Sequence, residues 1–229
     1  MTARLLALVG VSAAQRIVAC LGDSITQGST ASDPQTTSWP ARPGALLGPD
    51  YDVQNFGRSG KTVLPTNKEY AASSWYRNAL KSGAELAIIG LGTNDAKDTN
   101  WVGSDIEERF LDAYRTLINA SLATFPQIIL SVPVPQLESG WHWPDSSIIN
   151  TVLPGLVYAL ASEFGLAVVD STTSFIEATS ADDATFANAT LYADVIHPND
   201  LGFSLIAQQV ASVVLATEPT TAPSTYAPS

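Results

Sequence analysis

One serine, one aspartate–histidine pair and a small set of amide donors carry most of the chemistry that this chain offers. In Asp194-Val195-Ile196-His197 the three-residue spacing lets the carboxylate curl back on the imidazole and accept a hydrogen bond from one ring nitrogen, fixing the tautomer. The other nitrogen is then free to take a proton from a hydroxyl. Gly22-Asp23-Ser24-Ile25-Thr26-Gln27-Gly28 follows an apolar run, and a serine between a strand and the next turn is held out toward solvent. Asp23 or Ser24 would equally serve as a turn or helix cap. In Asn55-Phe56-Gly57-Arg58-Ser59-Gly60-Lys61-Thr62 the glycines permit a tight turn with exposed N–H groups, and in Gly90-Leu91-Gly92-Thr93-Asn94-Asp95 the Asn94 amide is a further donor. Read separately, these are a glycine turn and a loop cap. Read together, a nucleophile, an oriented base and convergent donors are the parts that acyl transfer needs.

His142 is the chain's second histidine and has no Asp three residues before it, so it is the weaker base. Its segment, Ser139-Gly140-Trp141-His142-Trp143-Pro144, offers two indole faces and a polar donor to a sugar ring, or simply packs a loop onto the domain. Cys20, the single cysteine, excludes an intramolecular disulfide framework and a cysteine-based zinc site, and its apolar setting predicts a buried core residue. Trp75 and Trp101 read as packing residues. No metal or cofactor is expected.

These residues need elements that bring them to one place. Short apolar runs predict strands over 17–21, 51–56, 85–91, 127–132 and 166–170; helical patterns fill 39–47, 69–81, 104–124, 147–164 and 199–216. In the third helix Ile106, Phe110, Ala113, Tyr114, Leu117 and Ile118 form one apolar stripe. Strand–helix alternation predicts an α/β fold with a parallel sheet covered on both faces, and ligands bind outside the carboxyl ends of such strands. Every chemical segment above except the His142 loop and the Asp194–His197 pair directly follows one of the first three strands.

The 229 residues suit one large domain, over 15–216. With 11 Lys and Arg against 22 Asp and Glu the formal charge is −11, which opposes binding to nucleic acid or anionic lipid. Hydrophobic residues at 45% supply a core. Residues 1–14, with Arg4, an apolar run from Leu5 to Val11 and small residues after it, read as a short secretory signal or as an apolar terminus packing on the domain. The run is too short to span a membrane. The sequons at Asn119 and Asn188 suit a secreted protein, and residues 217–229, rich in Thr, Pro and Ser, read as a disordered tail, a linker or a ragged terminus.

The blocks Gly22-Asp23-Ser24, Gly60, Gly92-Thr93-Asn94-Asp95 and Asp194-Val195-Ile196-His197 resemble the GDSL family of SGNH hydrolases, in order and separation, over about residues 16–216. The resemblance implies a flavodoxin-like three-layer α/β/α sandwich with five parallel strands. It also implies Ser24 as nucleophile, His197 as base, Asp194 as its partner, and Ser24 N–H, Gly60 N–H and Asn94 as the oxyanion hole. Gly57 is a second candidate, but in the family the donor lies several residues past the Asn ending the second strand. GDSITQG, NFGRSGKT and LGTNDAKDTNW look like the sialate or carbohydrate O-acetylesterase branch. Expected substrate contacts are Asp23, Arg58, Trp141 and His142. Arg58 and Lys61 would favour an acidic sugar or else counter Asp23 or Asp95. The expected activity is hydrolysis of short acyl esters on small molecules or polysaccharides, with a lipase or lysophospholipase, or an inactive carbohydrate-binding module, as rivals.

Overall fold

A computed structural model describes residues 14–137, 143–178 and 191–218. Five parallel strands, β1 (Arg16–Gly22), β2 (Tyr51–Gly57), β3 (Leu86–Gly90), β4 (Gln127–Ser131) and β5 (Ala167–Val169), form one sheet in the order β2-β1-β3-β4-β5. The central strands are apolar at nearly every position because both faces are covered. Ala19, Leu21, Ala87, Ile89, Ile128 and Leu130 face a core shared with Tyr76 of α3 (Ser74–Ala79), Phe110, Tyr114 and Leu117 of α4 (Ile106–Leu122), and Val157 and Leu160 of α5 (Leu153–Phe164). Val18, Cys20, Leu86, Ile88 and Ile129 face the opposite core with Phe175 of α6 (Thr172–Ala178) and Phe203, Ile206, Val210 and Val214 of α7 (Asp200–Ala216). The result is the expected three-layer α/β/α sandwich. Strand order reverses direction between β1 and β3, so the cleft at their carboxyl ends is where such a sheet takes ligands.

Several helices are shorter than their patterns predict. The helix expected over 39–47 is only α2 (Pro43–Leu47), since Pro43 inside a longer helix would lose a bond and clash with the preceding turn, whereas at the first position it costs nothing. The one expected over 69–81 begins at Ser74, where Ser73 Oγ accepts from Tyr76 N at 3.2 Å. The fourth opens with a π-helical turn, Ile148–Val152, ahead of α5. Pro154 lacks the N–H that an α-helix would give Asn150. Two short helices, α1 (Ser24–Gln27) and α6, were not expected. At four and seven residues they are too short to show a period.

Candidate active site

The site is built on a row of three glycines. Gly57, Gly22 and Gly90 are register partners at the ends of β2, β1 and β3. A Cβ on Gly57 would lie 2.3 Å from Gln27 N, and one on Gly22 would lie 2.1 Å from Thr26 Oγ1 and 2.5 Å from Gly90 O. The bare row lets α1 cross directly over the strand ends. Asp23 caps that turn, its Oδ1 accepting from Ile25 N at 2.9 Å, and Gly28 closes it at φ 79°, a conformation that favours glycine. Ser24 is thereby fixed at the first helical position, where its own N–H has no intrahelical partner.

The base arrives from the other end of the chain. Residues 191–199 form a closed loop, with Ala193 N donating to His197 O and Asn199 N to Leu191 O, each at 2.9 Å; Asn199 then caps α7. Thr30 Oγ1 donates to Pro198 O at 2.7 Å and ties this loop to the chain after α1. Ser24 Oγ lies 2.9 Å from His197 Nε2, and His197 Nδ1 lies 2.8 Å from Asp194 Oδ2. Because the carboxylate accepts, Nδ1 carries the proton and Nε2 faces the serine. Asp194 Oδ1 also accepts from the amides of Ile196 and His197, at 2.8 and 2.7 Å. Partial burial pushes the Asp194 pKa up, but these amides and the imidazole outweigh it and hold it below the usual carboxylate value. The carboxylate stays ionised where the imidazole needs it.

Two glycines compete for the donor role, and their hydrogen bonds separate them. Gly57 N donates to Asn55 Oδ1 at 2.8 Å. Gly60, at φ 76°, has no acceptor for its N–H among the described residues, and with Asn94 it lines one cavity. Asn94 Nδ2 lies 3.3 Å from Asp23 Oδ2 and 3.2 Å from Lys61 O, both long contacts that a developing oxyanion can replace.

Asp23, expected to touch substrate, is only 2% exposed and braces the site between Ile25 and Asn94. Burial raises its pKa to about 6 against the opposing pull of Ile25 N–H, His197 and Thr93. Asp95 is more deeply committed, with Oδ1 accepting from Val63 and Leu64 N at 3.0 and 2.8 Å. It pins the loop after Gly60 to the end of β3, and burial raises its pKa to about 7 despite those bonds. Nothing in the local sequence marks this role, because Asp95 and its partners are some 30 residues apart.

Arg58 is exposed, its guanidinium 5.6 Å from the Trp75 ring centroid, and neither it nor Lys61 pairs with Asp23 or Asp95. Trp75, expected to pack, is 38% exposed and lines a cleft of about 360 Å³ with Gln27, Asn55 and Gly57. Trp101 does pack, 5.5 Å from Phe110. Trp141 and His142 lie outside the described residues, as do Asn188, residues 1–13 and residues 219–229. Their neighbour Trp143 is 40% exposed, its ring edge-on to His197 at 6.5 Å. Cys20 is fully buried, which pushes its thiol pKa far up and leaves it without chemistry. Among the described residues no group of three His, Cys, Asp or Glu is placed to hold a metal, and no helix is long and apolar enough to cross a membrane.

Fold and site define a class: a doubly covered parallel α/β sheet with a hydrogen-bonded Ser–His–Asp relay at its switch point. The chain belongs to the GDSL-like lipase/acylhydrolase family, whose model matches residues 20–205. It is 28% identical over 214 residues to an acetylxylan esterase of Xylanibacter ruminicola, an alignment covering 86% of this chain and 42% of that protein. The chain thus spans less than half of that curated relative. Its fold is similar to that of an acetylxylan esterase from Geobacillus stearothermophilus (TM-score 0.68, 21% identity, 88% of this chain and 94% of the other). It is similar as well to that of a carbohydrate acetylesterase from Sinorhizobium meliloti (TM-score 0.67, 21% identity, 88% and 99%).

Proposed function

We propose that the protein removes O-acetyl groups from carbohydrates by two-step acyl transfer, with acetylated xylan as the leading substrate class. The observation that carries this reading is the unbroken chain from Ser24 Oγ through His197 to Asp194. His197 Nε2 takes the Ser24 proton as Oγ attacks the ester carbonyl. The oxyanion is received by the N–H groups of Ser24 and Gly60 and by the Asn94 amide. As the intermediate collapses, His197 protonates the departing sugar oxygen, the C–O bond breaks to leave acetyl on Ser24, and a water activated by the same imidazole then releases acetate. The acetylxylan esterase and carbohydrate acetylesterase names among its relatives, together with the exposed indole of Trp143 beside His197, support a sugar as the alcohol half. The reading includes export, supported by the apolar run of residues 5–11, and N-terminal sequencing of the protein recovered outside expressing cells tests that part.

The test is acetate release from acetylated xylan together with nitrophenyl ester hydrolysis. Ser24→Ala and His197→Ala are each expected to lower kcat by at least about 10³-fold with thermal unfolding unchanged. Undiminished turnover in Ser24→Ala would overturn the mechanism. A higher kcat/KM on octanoyl than on acetyl ester would replace the carbohydrate reading with a lipase or lysophospholipase. Failure of a fluorophosphonate to label Ser24 would favour the inactive binding module.

A further inference from the structure

We propose that the cavity beside the oxyanion donors is a subsite for a sugar carboxylate, so that the preferred ester stands on or next to a uronic acid residue of the carbohydrate. The cavity has a volume of about 300 Å³, and its lining includes Gly60, Lys68, Asn94, Lys97 and Asn100. That is enough for one pyranose ring. Lys68 and Lys97 reach it from two different loops, and the Lys68 stem passes 3.9 Å from where a Cβ on Gly60 would sit. The Lys68 side chain thus starts into the cavity beside Gly60.

Two cations facing one cavity repel each other unless an anion sits between them. Among the described residues neither lysine has an ion-pair partner, whereas Arg16, Arg109 and Arg115 each pair with a carboxylate. Glu69 and Asp98, next to them in sequence, do not line the cavity. Lys97 is half-buried, and burial followed by the field of Lys68 lowers its pKa against the weaker opposing pull of Asp23. The walls of the cavity are fixed as well. Thr62 N donates to Lys68 O at 3.2 Å, Asn100 Nδ2 to Asn94 O at 2.8 Å, and the Asp95 carboxylate joins the two loops through Val63 and Leu64. The amides of Asn67 and Asn100 and the hydroxyls of Thr66 and Thr99 are suited to the ring hydroxyls of the same sugar.

The subsite rests on the carbohydrate esterase reading, and the experiment separates the two. Acetate release is followed on acetylated xylo-oligosaccharides with and without a glucuronic acid branch, using the wild type and the Lys68→Gln/Lys97→Gln variant. In parallel, the Ser24→Ala protein, with and without the lysine substitutions, is titrated calorimetrically with the same oligosaccharides after deacetylation. The expected result is a kcat/KM at least tenfold higher on the uronate substrate, carried by KM, that falls to near parity in the double variant. The binding arm is expected to show the same tenfold preference, lost in the double variant and in 0.5 M NaCl. A uronate preference that survives both substitutions, or equal affinity for the two oligosaccharides, would overturn the subsite while leaving the esterase standing. If no acetate is released from either substrate the esterase reading falls, and the binding arm still decides the subsite.

Discussion

Asp194 touches His197 directly, whereas Asp23 is buried at the cap of the turn that carries Ser24. Asp194 is held ionised by two amides and the ring N–H, so it fixes the tautomer and balances the imidazolium that forms as Ser24 loses its proton. Asp23 is buried, its charge stabilised by the same imidazolium and by the Ile25 amide. Asp194→Asn leaves the loop amides an acceptor but frees the wrong ring tautomer, and should lower kcat by roughly 10³–10⁴-fold with KM little changed. Steady-state kinetics on acetyl nitrophenyl ester checks this, and a loss under tenfold would mean that Asp194 does not orient the ring. Asn94→Ala removes one oxyanion donor and also unties Asp23 from the Lys61 carbonyl. A kcat loss of about 10²–10³-fold is expected from the donor alone. If binding of the ester substrate in the Ser24→Ala background is unchanged by adding Asn94→Ala, the loss belongs to the transition state.

The strand ends matter as much as the side chains they carry. Gly57→Ala would place a Cβ against the Gln27 and Thr26 backbone, which cannot swing aside as a flexible side chain would. The α1 turn must lift, moving Ser24 away from a relay that spans 2.9 Å. We expect a stability loss of about 1–3 kcal/mol and at least a tenfold lower kcat, measured by urea unfolding and by ester kinetics on the same preparation. Intact kinetics would show that the glycine row is not what seats the nucleophile. This row also marks the limit of what is legible in the sequence. The Ser24, Asn94 and Asp194–His197 blocks were readable because each is local, and five strands were readable because burial on both faces leaves apolar runs. The glycine row appears only once register aligns Gly22, Gly57 and Gly90. The Asp95 tie and the Lys68–Lys97 pair likewise join loops that sequence spacing does not connect. Helix ends failed where prolines decided them, at Pro43 and Pro154.

At the scale of the molecule, the site imposes a pH dependence on folding that the charge count alone would misattribute. Burial raises Asp23 to about 6 and Asp95 to about 7, so the native state binds protons that the unfolded chain has released by about pH 5. Their contribution to stability is full below the ordinary carboxylate range and is lost as pH climbs through 6 and 7. Asp194 and Asp200, held low, act oppositely and only in more acidic solution, where they release stability as pH falls. Between pH 5 and 8 the buried pair therefore sets the slope, and stability should decline with rising pH. The −11 net charge pushes in the same direction through surface repulsion, but 0.5 M NaCl screens that part and leaves the buried carboxylates largely untouched. Urea unfolding at pH 5 and 8 in high salt should thus show a decline in the wild type and a shallower one in Asp95→Asn, whose amide oxygen keeps an acceptor for Val63 or Leu64 without ionising. Equal slopes in the two proteins would mean that Asp95 is not held protonated.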